Sequence, residues 1–280
     1  MKIRKLLVDD LTSLKALWYE CFLEHDSQAS IDYYLTNYLD YDNTFVLIDD
    51  NEIKSSIVLS QHELYFNGTY ENVSFITWVA TLKKDRHKGY MKTIMNYAID
   101  YASNKLKQNY MILQAYDWNL YKQFDFYEAY YKSLNIIYLD DLLSNEYIEL
   151  EEVSSSLLLN IYNKYVLDLS GYKLRNEAYY DKLLPYLSID NIQAVTTKEA
   201  YCFYTIKDNI LKISECAFIN KMSLLNLIKT IISQYKVNKI ELLSDTYNFK
   251  TNNKELVMMV KELNKNKFNI SDQNYISEYI

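Results

Sequence analysis

The stretch that decides the reading is Val79-Ala80-Thr81-Leu82-Lys83-Lys84-Asp85-Arg86-His87-Lys88-Gly89-Tyr90-Met91. The chain has three glycines in 280 residues, and one of them is Gly89. Upstream, residues 75–82 form an apolar run that reads as a buried strand. Downstream, Ile94, Met95, Ala98, Ile99 and Ala102 recur at helical spacing, so a helix with one apolar face starts near Tyr90. A glycine at a strand-to-helix junction lets the backbone approach a ligand closely. The first amides of a helix lack partners within it, and the dipole favours an anion there. With Arg86, His87, Lys88 and Lys92 around it, the junction is a candidate phosphate loop. Taken alone, each base fits a solvated surface position equally well.

Strand and helix signals alternate outward from this loop. On the N-terminal side, residues 3–8 read as a strand. Leu14, Leu17, Trp18, Cys21 and Phe22 mark a helix that Asp10 or Thr12 could cap. Ile31, Tyr34, Leu35 and Tyr38 mark a second helix. Residues 45–48 and 53–60 are paired strands turned by Asp49-Asp50-Asn51. Asn67-Gly68 is a two-residue hairpin signal between residues 63–66 and 69–71. On the C-terminal side, residues 110–115 read as a buried strand, residues 120–131 begin as a short helix, and residues 134–138 form a strand. A polar stretch over 142–156, with Glu146, Glu149, Glu151 and Glu152, places a domain boundary near 148. Beyond it the pattern predicts helices at 156–167 and 176–184 and strands at 192–196, 201–206 and 211–216. A helix at 223–235, a strand at 239–243 and a helix at 254–263 complete it.

At 33.4 kDa, with 49% hydrophobic residues, the chain can bury the cores of two domains. A net charge of −7 and a pI near 5.1 argue against nucleic acid as a partner, because phosphate backbones need basic patches. Three scattered cysteines, Cys21, Cys202 and Cys216, give neither a disulfide framework nor a zinc spacing, and no metal site is expected. No apolar segment approaches the 18 residues a membrane span requires, and the N-terminal apolar run is too short for a signal peptide. A reducing cytoplasm is the expected compartment.

Arg86-His87-Lys88-Gly89-Tyr90-Met91 resembles the R/Q-x-x-G-x-G/A pyrophosphate loop of the N-acetyltransferase (GNAT) superfamily. The longer run from Val79 to Met91 resembles V-A-T-x-x-x-x-R-x-x-G-x-M of its enhanced-intracellular-survival (Eis-like) branch. Met91 departs from the small residue usual in the superfamily but suits that branch. The resemblance implies an α/β (α+β) fold of two tandem GNAT-like domains, each a mixed, mostly antiparallel twisted sheet flanked by helices. Residues 1–147 would be the acetyl-CoA-binding catalytic domain, and residues 148–280 a second domain without the cofactor motif.

It also implies a site. Backbone amides over His87, Gly89, Tyr90, Met91 and Lys92, with charge from Arg86, Lys88 and Lys92, would hold the pyrophosphate of acetyl-CoA. Val79, Ala80 and Thr81 would pair with the pantetheine arm through their backbone. Leu120-Tyr121-Lys122-Gln123-Phe124-Asp125-Phe126 resembles the branch's I-Y-x-x-F-G-F/Y element, whose tyrosine is the general acid, and that role carries to Tyr121. A phenol stays protonated at neutral pH and can protonate a leaving thiolate. Asp125 stands where the branch has glycine. Tyr116 and Asp117 occupy cofactor-contact positions, or simply a loop after a strand.

The base is not assigned. In full-length members of the branch it is a terminal carboxylate delivered by a third, sterol-carrier-like domain, and that role does not carry to Ile280. Glu128 or another acid could act through a water; His25 and His62 read as structural or exposed. The implied activity is acetyl transfer to a primary amine, on a small molecule or a peptide. A non-catalytic acyl-CoA-binding or regulatory protein is the alternative, and a homo-oligomer is open.

Overall fold

A computed structural model describes residues 1–66, 68–244 and 253–264. In chain order it runs β1 (Lys2–Lys5), α1 (Leu11–Phe22), α2 (Gln28–Asn37), β2 (Thr44–Asp49), β3 (Glu52–Phe66), β4 (Thr69–Thr81), α3 (Tyr90–Asn104), β5 (Tyr110–Leu113), α4 (Asn119–Lys122) and β6 (Tyr127–Ile137). There follow α5 (Ser155–Tyr165), β7 (Tyr172–Lys173), α6 (Glu177–Ile189), β8 (Gln193–Thr196), β9 (Ala200–Lys207), β10 (Ile210–Phe218), α7 (Lys221–Ser233), β11 (Lys239–Ser244) and β12 (Lys254–Glu262). This is the expected class: mixed, mostly antiparallel sheets flanked by helices.

Local chemistry explains the first sheet. Asp50 and Asn51 both take positive φ, 49° and 59°, as the tight turn between β2 and β3 requires. Alternation along β2 then splits its side chains between two faces. Val46 joins Leu14, Leu17 and Trp18 under α1. Phe45 meets Tyr97 and Tyr101 of α3, with ring centroids 5.3 and 4.7 Å away. Phe66 and Thr69 pair across the β3–β4 turn, where the signal residue Asn67 lies outside the described residues.

The described residues sort into two compact units. One holds Met1–Ala129 and residues 258–264; the other holds the described residues of 130–257. In the first, β1, β2, β3 and β4 are antiparallel neighbours. β5 lies parallel to β4, and Met259–Glu262 of β12 pairs antiparallel with β5. The second unit repeats the pattern. β8, β9 and β10 are antiparallel, β11 is parallel to β10, and residues 133–137 of β6 pair antiparallel with β11. In each unit the last sheet edge is thus filled by a strand more than 100 residues from its partner in sequence.

The helix expected at 254–263 is the strand β12. Leu256, Val257, Met258, Met259 and Val260 form a continuous apolar run, which periodicity alone cannot divide between a buried strand and a helix. The partner decides it: the edge of β5 takes the segment, and Met258, Met259 and Val260 are buried.

Two features of the second unit were hidden by sequence distance. Cys202 and Cys216 are direct cross-strand neighbours, both buried and neither in a disulfide. Arg175 and Glu215 form a two-pronged ion pair at 2.7 and 3.2 Å with both side chains fully buried. Tyr201 donates to the same carboxylate at 2.7 Å, and the ring of Tyr162 lies 4.2 Å under the guanidinium.

Candidate active site

The site begins at a bulge. Ser56 pairs with Ala80 and Val58 with Thr77, so Ile57 alone faces both Trp78 and Val79. Trp78 takes φ of 51°, a left-handed conformation that costs an aromatic residue about 1–3 kcal/mol. Packing holds it there. Trp18 stacks on it at 4.4 Å, Phe22 meets it edge-on at 5.1 Å, and the Ser56 hydroxyl donates to its carbonyl at 3.3 Å. The sequence reading missed Trp78, because nothing in a tryptophan signals positive φ.

The bulge sits where β4 leaves β5. The two strands pair only over Ser74–Met111, Phe75–Ile112 and Ile76–Leu113. From Thr77 onward, among the described residues, no strand takes that edge of β4. Val79, Ala80 and Thr81 lie on this splayed segment; Ala80 and Thr81 pair on their other side with β3, while Val79 sits in the bulge. An extended, amide-bearing chain could add to the free edge as a strand would.

Past Thr81 a short 3-10 turn, Lys83–Asp85, leads into the loop. Gly89 has φ of 87° and is the N-cap of α3, with no side-chain cap. A Cβ built on it would meet nothing within 4 Å, so the space beside Gly89 at the start of α3 is open, and the first-turn amides of Tyr90, Met91 and Lys92 have no side-chain cap. In the second unit, α7 follows β10 as α3 follows β4, but the Asn220 side chain accepts from Ser223 N at 2.9 Å and caps that terminus itself. Only the first unit leaves this crossover terminus open to an anion.

The loop bases are not equivalent. Lys88 bonds to buried Asp85 at 2.6 Å, and the same carboxyl takes Lys54 at 3.3 Å. Lys88, against the opposing pull of burial, and Lys54 hold Asp85 below the usual carboxylate range. The Arg86 guanidinium lies beside the Cys21 thiol, whose pKa burial raises despite that charge. His87 is exposed with φ of 65°, and Lys92 is exposed on the first turn of α3. Tyr90 points away, donating to Asp49 at 2.8 Å, so it offers the loop only its amide.

Beyond β5, Asp117 accepts from Asn119 N at 3.0 Å and starts α4. Tyr121 lies on α4, half-buried, with its ring edge-on to Phe126 at 6.4 Å. Burial, and then the charge of Asp117, push its pKa up to about 12. Among the described residues its hydroxyl takes no hydrogen-bond partner. Asp125 has φ of 61°, a left-handed conformation that aspartate adopts more readily than most residues other than glycine. Tyr116 turns outward, stacks on His25 at 4.2 Å and donates to Asp26 at 3.2 Å. Glu128 pairs with Lys122 at 3.2 Å, and His62 is buried in β3 against Phe75. Ile280 lies outside the described residues. No helix of the described residues is long and apolar enough to cross a membrane.

Residues 2–129, somewhat under half of the chain, match the family model described as an acetyltransferase (GNAT) domain. No curated protein matches the sequence. Solved structures match over nearly the whole chain at low identity. A probable N-acyltransferase from Enterococcus faecalis V583 is 15% identical with a TM-score of 0.75, covering 94% of this chain and 72% of its own. A GCN5-related N-acetyltransferase from Anabaena variabilis is 14% identical with a TM-score of 0.75, covering 94% and 73%. Eis1 from Mycobacterium abscessus is 12% identical with a TM-score of 0.72, covering 94% and 74%. At these identities the likeness is one of fold.

Proposed function

We propose that this protein is an acetyl-CoA-dependent N-acetyltransferase that moves an acetyl group to a primary amine by direct attack, and that it is a relative of the Eis-like branch. The observation that carries the reading is the pairing of two features in one unit: β4 parts from β5 at a bulge, and the next helix starts on a glycine with uncapped amides. A thioester arm fits the first and its pyrophosphate fits the second. Tyr121 follows on the element after β5, where it would donate to the departing sulfur. With a pKa near 12 the phenol keeps its proton until charge builds on that sulfur. Against a free thiolate of pKa about 8.5, full transfer is uphill by roughly 5 kcal/mol, so it must be coupled to the proton shed by the attacking nitrogen.

The amine can belong to a small molecule or a peptide, and an acidic protein suits a cationic acceptor. Nucleic acid and membrane are not proposed partners, and the cytoplasm is the proposed compartment. Calorimetric titration with acetyl-CoA tests the reading. Binding near one site per chain is expected, and Gly89→Trp should abolish it by filling the space over the amides. Equal affinity in that variant would show that the loop does not hold the cofactor.

A further inference from the structure

The loop that follows α1 bridges the mouth of the β4–β5 split. Its near end is fixed to the end of β4 and the residues after it. The Cys21 thiol donates to Thr81 O at 3.3 Å, Phe22 packs edge-on against Trp78, and Lys83 bonds to Glu24 at 2.8 Å. Its far end is fixed to the other side of the gap, three residues beyond the end of β5. There the His25 imidazole stacks on Tyr116, and the Tyr116 hydroxyl donates to Asp26. The imidazole is thus held at the opening between the end of β4 and the residues after β5.

We propose that His25 takes the proton from the incoming ammonium, with Tyr116 and Asp26 as its positioning residues. The inference rests on the transferase reading. Imidazole is the one side chain whose ordinary titration lets it accept a proton near neutral pH and release it again. The other histidines sit elsewhere, His62 inside the sheet and His87 on the phosphate loop, and Glu128 is paired with Lys122. The groups around His25 are Glu24 and Asp26 on its own turn and Tyr116 across the gap; Glu24 in turn faces Lys83 and Arg86 from the loop after β4.

The proton count closes. His25 removes a proton from the ammonium and passes it to solvent. The neutral nitrogen attacks the carbonyl carbon, the C–N bond forms and the C–S bond breaks. Sulfur takes the phenolic proton of Tyr121, and the proton that nitrogen sheds returns through water to the phenolate. Amide, free thiol and one solvent proton result.

The test is the pH dependence of kcat/KM, followed by thiol release, for wild type and His25→Gln. The probes are acetyl-CoA with 1,5-diaminopentane, a lysine-terminated peptide and an aminoglycoside, and acetyl-CoA affinity is measured alongside. His25→Gln should lose the acid limb of the profile and roughly 10²-fold in rate, with cofactor affinity unchanged. Retention of that limb in an active variant overturns the assignment of His25 and leaves the transferase reading standing. Transfer to none of the amines by a wild type that binds acetyl-CoA overturns both.

Discussion

Tyr121 shows how one residue is set apart among 30 tyrosines. Its distinction is environment: half-buried, raised by burial and by Asp117, its hydroxyl without a partner among the described residues. Tyr121→Phe should therefore lower kcat by roughly 10²-fold and leave acetyl-CoA affinity intact. Because the pKa is raised, the donor form is fully present below about pH 11. No alkaline fall in wild-type kcat between pH 7 and 10 should trace to this phenol. A limb in that range that disappears in Tyr121→Phe would contradict the assignment. Residue-level motifs were legible in the sequence where geometry depends on the residue type itself, as at Gly89. Trp78 was not, because its positive φ is imposed by Trp18, Phe22 and Ser56, which lie 22 to 60 positions away.

At the level of elements, the loop between β4 and α3 depends on a carboxylate that no motif includes. Asp85 is buried beneath the loop and ties Lys54 to Lys88. Its folded pKa is lowered, so its contribution is complete above the unfolded value and is lost as pH falls through the folded one. Acetyl-CoA affinity should hold at neutral pH and weaken below about pH 4. Asp85→Asn should show the weakened affinity already at pH 7, and calorimetry at both pH values checks this. In the second unit Glu215 carries a comparable burden. Burial raises its pKa, yet the adjacent Arg175 charge holds it low overall. Glu215→Gln leaves a buried guanidinium without its counter-charge and should cost about 3–5 kcal/mol in denaturant unfolding. Replacing both partners with apolar residues of similar volume should cost far less. The turn after the Tyr121-bearing helix is milder: Asp125 holds a left-handed conformation that its short polar side chain tolerates.

Over the whole molecule, alternating strand and helix signals made the fold class readable, while strand partnership was not. The 254–263 segment carries a pattern that both helix and strand satisfy, and pairing with the edge of β5, some 145 residues earlier, makes it a strand. Local periodicity reports which face of an element is apolar and nothing about who covers it. Burying Met258, Met259 and Val260 is worth on the order of 5–8 kcal/mol as an upper value. That is comparable to the entire net stability of a domain. A chain cut after Asn253 should therefore lose cooperative unfolding of its first unit and aggregate through the exposed β5 edge. A sharp thermal transition at the wild-type temperature would show that β12 is dispensable.

The same strand has a consequence in time. Translation is directional, and residue 129 leaves the ribosome well before residue 258. At about 5–20 residues per second the gap lasts roughly 6–26 s. During that interval the nascent first unit holds β1 to β5 with its last sheet edge unfilled. The N-terminal half of this protein must wait, near-complete and adhesive, for an end of the chain that has not yet been made.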